Sequence, residues 1–121
     1  MTTYEDTLEL KGINQKITAA GEDLPLVQLH DGSKVQTGTV ATMLHNVKLY
    51  NEGYTGDIED ELTAAVPTLI KVGLFDLFPP EEWIAGDNAG RRVVGEAALR
   101  YMNKDKKKEE KKFVFPRLFM I

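Results

Sequence analysis

The chain has 121 residues, of which 42% are hydrophobic and none is cysteine, so it can bury one hydrophobic core and has no disulfide, thiolate nucleophile or cysteine metal site. The net charge of −4 is unevenly distributed: residues 1–102 carry 8 basic and 16 acidic side chains, and the remaining residues carry 7 basic and 3 acidic ones. The acidic body therefore repels nucleic-acid phosphates and favours basic protein surfaces, neutral ligands or copies of itself as partners. The amino-terminal sequence lacks the apolar run of a secretory signal and no stretch approaches the roughly 20 apolar residues that cross a bilayer, so we expect a cytoplasmic protein without a transmembrane segment.

The first predicted elements are a helix and a β-hairpin. Thr2 and Glu5 have the spacing of a capping box, which predicts a helix over about residues 3–20. The runs LPLVQL and KVQT are β-prone and flank the turn sequence HDGS. We expect Asp31 and Gly32 to supply the positive φ angles of a tight turn, with the register of the hairpin left open by one residue.

Two amphipathic helices are predicted after the hairpin. Thr37 or Thr39 can cap the first, which ends at Gly53 and gathers its apolar residues within about 120° of the helix circumference. The second has acidic residues in its first turn and ends at Gly73. Pro67 lies in its middle, which predicts a kink or two helices meeting there.

The last predicted elements are a short helical turn that starts at Pro80 and a final helix capped by Asp87 or Asn88. Gly90 and several alanines form a stripe of small residues on this final helix, which permits close helix approach. The predicted fold class is α+β: a single small domain with four or five helices, one β-hairpin and a mainly helical core.

The chain divides into three predicted segments. Residues 1–103 form the globular α+β domain, residues 104–112 a charged solvated segment, and residues 113–121 an apolar segment docked on the fold or on a second copy. Seven of its nine residues are large and apolar, worth about 10 to 20 kcal/mol as an upper bound if all were buried. Pro116 argues against a central strand and favours an edge strand or an extended clamp. The residues expected to make these contacts are Phe113, Phe115, Leu118, Phe119 and Ile121.

The candidate ligand site surrounds the sequence GDNAGRR, which places two cations in the first turn of a helix, an end that prefers anions. Arg91 lies near the apolar stripe, so its partner must come from another element. That partner is Asp76, Glu81 or Glu82, or else a bound carboxylate or phosphate. Trp83 belongs to the core or forms an aromatic wall for the ligand. The candidate ligand-binding residues are Asp76, Trp83, Asp87, Asn88 and Arg91.

Other polar residues favour structural roles. His30 and His45 have no third ligand at a metal-binding spacing, so surface positions are preferred. The run from Thr37 to Thr39 could present backbone amides to an anion, but it lacks the lysine and the glycines of a phosphate loop, and ordinary capping is preferred. We therefore predict no catalytic residue, no metal site and no cofactor.

The preferred functional hypothesis is a non-catalytic binding or interaction module that self-associates as a homodimer, with a basic protein as a further possible partner and no nucleic acid. The charge division and the apolar carboxy-terminal segment support it. The alternative is an anion-binding or enzymatic domain with its site around Arg91. A cavity of several hundred cubic ångströms that contains Arg91 favours the alternative, whereas an ion pair of Arg91 with a carboxylate favours the first hypothesis.

Overall fold

The computed structural model describes the backbone of residues 4–19 and 22–119 and the side chains of residues 8–19 and 22–104. The elements in chain order are helix α1 (Tyr4–Asn14), a 3-10 turn (Gln15–Ile17), strands β1 (Leu26–Gln28) and β2 (Lys34–Gln36), and helices α2 (Thr39–Asn51), α3 (Asp57–Lys71), α4 (Leu74–Leu77), α5 (Pro80–Ala85) and α6 (Ala89–Phe119). The α+β fold class with a helical core is confirmed, with six α-helices in the described ranges where four or five were expected.

The two strands form an antiparallel hairpin with Val27 opposite Val35. Gly32 has a φ angle of 86°, as the turn requires, but no described residue other than glycine has a positive φ angle. The expectation for Asp31 was therefore wrong. Its carboxylate instead accepts a hydrogen bond from the Ser33 backbone N–H at 2.9 Å, so it stabilises the turn through its side chain.

The core lies where helices α2, α3 and α6 pack together, with Leu10 of α1 and Phe75 of α4 closing its edges. Helix α3 is one element that runs through Pro67, so the alternative of two helices was wrong, and the alternative of a kink stays a prediction. Proline removes only the hydrogen bond to the carbonyl of Thr63, an exposed residue. The buried residues of α3 lie on both sides of the proline, and their packing holds the helix together: Leu62, Ala65, Val66, Thr68 and Leu69.

Two glycines of helix α6 allow it to approach its neighbours closely: Gly90, which belongs to the predicted stripe of small residues, and Gly95, which does not. A Cβ atom on Gly90 would lie 2.7 Å from the carbonyl oxygen of Val47 in α2. A Cβ atom on Gly95 would lie 2.8 Å from the carbonyl oxygen of Pro80 and 2.9 Å from the Cβ of Trp83 in α5. Both glycines are required because backbone, rather than a movable side chain, occupies the space.

The backbone of α6 is helical to Phe119, so residues 113–119 are not the edge strand or extended clamp that Pro116 was expected to favour. Among the described side chains of this helix, Tyr101 and Met102 are the last that lie against the core. The contacts predicted for the side chains of the apolar segment lie outside the described residues.

Candidate ligand groove

The predicted site around Arg91 is built on Trp83, which belongs to the core. Trp83 is buried, its ring packs edge-on against Phe75 with the centroids 5.7 Å apart, and its Nε1 donates a hydrogen bond to the Phe78 carbonyl at 3.0 Å. The Arg91 guanidinium carbon lies 5.4 Å from the centroid of the Trp83 ring. This cation–π contact offsets the unfavourable position of Arg91 at a helix start.

The remaining residues of the predicted site lie around this pair. Asn88 caps α6: its Oδ1 accepts hydrogen bonds from the Arg91 backbone N–H at 3.0 Å and from Asn51 Nδ2 at 2.9 Å. Asp76 and Asp87 are exposed. Neither of the two grooves described below is lined by these residues. Ligand binding at Asp76, Trp83, Asp87, Asn88 and Arg91 stays a prediction.

An apolar groove of about 600 Å³ lies between the hairpin, the first turns of α2 and the last part of α3, and we call it the hairpin groove. The apolar side chains that line it are Val27, Leu29, Val35, Val40, Leu44 and Val72. Four of them remain well exposed to solvent: Leu44 at 59%, Val72 at 45%, Val40 at 41% and Val27 at 39%. Apolar surface that converges from three elements is typical of a contact site.

Helix α2 begins at this groove without a side-chain cap. Its N-cap residue is Gly38, which has a φ angle of 86° and no side chain to offer. The backbone N–H of Thr42 bonds to the Gly38 carbonyl at 2.9 Å, and the described hydrogen bonds provide no acceptor for the N–H groups of Thr39, Val40 and Ala41. Three donors therefore stand at the positive end of the helix dipole, on residues that line the groove.

The threonines predicted to cap α2 bond to loop carbonyls instead. Thr37 Oγ1 donates to the Pro25 carbonyl at 2.6 Å, and Thr39 Oγ1 donates to the Gln36 carbonyl at 3.0 Å. The Asn14 side chain, which is buried, donates from Nδ2 to the Thr37 carbonyl at 3.1 Å and to Thr39 Oγ1 at 2.9 Å. These bonds fix the start of the helix, and the expectation of a threonine cap was wrong.

Thr68 adds a further unsatisfied polar group to the lining of the groove. The residue is 2% exposed, and its Oγ1 is buried without a hydrogen-bond partner among the described residues. Sequence reasoning missed this residue. The signal was present, because Thr68 is three residues after Ala65 and four before Val72, which places a hydroxyl on the apolar stripe of the helix.

A second groove of about 610 Å³ adjoins the first, since Leu29 and Val72 line both. It also contains His30, Asp31 and Lys71. Hydrogen bonds from the Ser33 side chain and backbone lower the pKa of the Asp31 carboxyl, and the charge of Lys71 adds to this effect. Within the described side chains, no three acidic or histidine residues converge as metal ligands, and no described helix is long and apolar enough to cross a bilayer.

The predicted contact residues of the apolar segment cannot be placed with the grooves. The side chains of Phe113, Phe115, Leu118, Phe119 and Ile121 lie outside the described residues. Their docking therefore stays a prediction.

Comparison with known proteins identifies the family of the chain. The family described as a domain of unknown function, DUF7709, matches residues 8–102, which include all the described side chains that line the two grooves. No curated protein and no solved structure matches the chain. The family match spans more than half of the sequence, and the chain belongs to the DUF7709 family.

Proposed function

We propose that the protein is a non-catalytic binding module and that the hairpin groove binds a small, largely apolar ligand. The observation that carries the proposal is the convergence of exposed apolar side chains from β1, α2 and α3 on a space of about 600 Å³. This volume falls within the range of about 300 to 1,000 Å³ that holds small molecules in proteins.

The lining of the groove supports binding rather than chemistry. Its described side chains are aliphatic groups, the Gln36 amide and the hydroxyls of Thr37, Thr39 and Thr68, with no carboxyl, imidazole or amine among them. Such walls bury apolar surface, which stabilises a complex by about 25 cal/mol for each square ångström removed from water.

The test uses Nile red, a neutral dye that fluoresces in apolar surroundings, with the full chain and two matched variants. Leu44→Asp places a charge on the wall of the groove, and Leu77→Asp places one on another exposed leucine, which does not line it. We expect dye fluorescence with the wild type and Leu77→Asp and a loss of at least about fivefold with Leu44→Asp, because a carboxylate is costly to desolvate. Equal fluorescence of all three proteins overturns the proposal.

Self-association is a second candidate function. Residues 113–121 are strongly apolar, and residues 104–112 are basic in a chain whose body is acidic. These features favour a homodimer in which the carboxy-terminal segment of one copy contacts the body of the other, and the same acidic body suits a basic protein partner. A segment seated in the hairpin groove of a second copy would compete with the small ligand, and Leu44→Asp would then weaken the dimer as well as dye binding.

A further inference from the structure

We propose that the ligand of the hairpin groove is a small carboxylic acid whose carboxylate binds at the start of α2 while its apolar part covers the groove walls; this rests on the binding role proposed above. The open backbone N–H groups of Thr39, Val40 and Ala41 supply the first element of the site. A helix start binds anions because unpaired donors and the helix dipole act together.

The side chains around the helix start leave these donors free. The hydroxyls of Thr37 and Thr39 are bonded to loop carbonyls, and the Asn14 amide holds both residues in place. Gly38 offers no side chain, and a Cβ atom there would lie 2.6 Å from Cδ1 of Leu24. The positive φ angle of Gly38 disfavours a residue with a side chain at the N-cap, so this position supplies no side-chain cap.

Thr68 supplies the independent element of the site. Its hydroxyl belongs to a lining residue of the same groove, is buried, and lacks a partner in the part of the chain that the structure describes. A buried hydroxyl without a partner is unfavourable, and a carboxylate oxygen bound in the groove accepts its hydrogen bond. The ligand then satisfies two kinds of donor that the free protein leaves open.

The charge and shape of the groove favour a carboxylate over a phosphate. No lysine, arginine or histidine is found among the described lining residues of the hairpin groove, and a phosphate dianion in an apolar site needs such cations. A carboxylate brings one charge and two oxygens, which match a few N–H groups and one hydroxyl. No acidic side chain lines this groove to repel it, whereas Asp31 lies in the adjoining one.

The first experiment compares decanoate with 1-decanol, which has the same chain without the charge, as competitors of Nile red on the full-length protein at neutral pH. We expect decanoate to bind about tenfold more tightly, because charge-assisted hydrogen bonds are stronger than neutral ones. Equal affinities overturn the carboxylate inference while the groove proposal stands. A failure of both compounds and of the dye overturns both.

Two variants then locate the head group. Thr68→Val removes the hydroxyl with little change of shape, and Ala41→Pro removes one N–H donor in the first helical turn, where proline is tolerated. We expect each to reduce the preference for decanoate over decanol about three- to tenfold while decanol binding stays the same.

Thr63→Val is the matched control, because it removes a hydroxyl of the same helix that bonds to the Glu59 carbonyl away from the groove. It should keep the full preference for decanoate. If Thr68→Val and Ala41→Pro also keep it, the carboxylate does not bind at the start of α2 and the inference fails.

Discussion

Thr68 shows how a single side chain departs from the pattern around it. It occupies the apolar face of α3 at 2% exposure, yet no described residue is a hydrogen-bond partner of its hydroxyl oxygen. Burial of an unpaired hydroxyl costs about 1 to 3 kcal/mol. The free protein is therefore less stable than the same fold with an apolar group of equal shape at this position.

Thr68→Val is expected to raise the free energy of unfolding of the free protein by about 1 kcal/mol and its Tm by roughly 4 °C, because the unpaired hydroxyl is removed. Thermal denaturation in the absence of ligand measures this. Thr63→Val should change stability by less than about 0.5 kcal/mol. A lower Tm for Thr68→Val would show that the hydroxyl has a partner and would contradict this account.

Helix α6 can pack closely against α5 because the residue of α6 at the crossing, Gly95, has no side chain. Glycine inside a helix costs about 1 kcal/mol relative to alanine, and Gly95 is in the interior of α6. The close backbone approach at Pro80 outweighs that cost, because a Cβ atom at Gly95 has no space.

Gly95→Ala is expected to lower the free energy of unfolding by about 1 to 2 kcal/mol, since overpacking exceeds the gain in helix propensity. Gly12→Ala in α1 is the matched control, because a Cβ atom there meets nothing within 4 Å. It should raise stability by up to about 1 kcal/mol. Chemical denaturation of both variants checks the pair, and a stabilising effect of Gly95→Ala would contradict the packing described here.

The elements that sequence predicted well are those whose signals are local. The hairpin follows from β-prone runs around Gly32, and the start of α6 follows from Asn88, whose side chain caps it. The wrong predictions concern positions where contacts between residues far apart in sequence determine the local structure. Packing against two helices keeps α3 helical through Pro67. Hydrogen bonds to Asn14 and to backbone carbonyls prevent the threonines from capping α2.

The candidate site could be predicted only in part for the same reason. The run from Thr37 to Thr39 was considered as an anion site from sequence, but whether its donors are open depends on a loop packed against Asn14. That Thr68 lines the same groove as Val40 depends on how α3 packs on α2. Spacing along the chain carries no information on either contact.

At the scale of the whole molecule, charge and apolar surface are separated along the chain. The acidic body contains the grooves, while a segment with an excess of basic residues and the apolar segment 113–121 follow Met102. Opposite charges favour contact between the body of one copy and the tail of another, an attraction that salt weakens.

The homodimer is tested by light scattering of the full chain and of a version that ends at Lys112. We expect a dimer for the full chain and a monomer for the shorter one, because the apolar segment provides the contact. Leu44→Asp identifies the receiving surface. A monomer for this variant would indicate that the segment contacts the hairpin groove, where it competes with the small ligand. Monomers for both the full chain and the shorter one would reject self-association.

The contrast between Gly38 and Thr68 bears on how selection acts on this family. Gly38 has a left-handed backbone conformation with a φ angle of 86°, and Leu24 lies next to it. Substitution by other residues is therefore disfavoured whatever the protein binds, and a conserved glycine at this position would report only on the fold. No contact among the described residues requires threonine at position 68. A threonine kept at this position in divergent members of the family would therefore indicate selection for binding and not for stability.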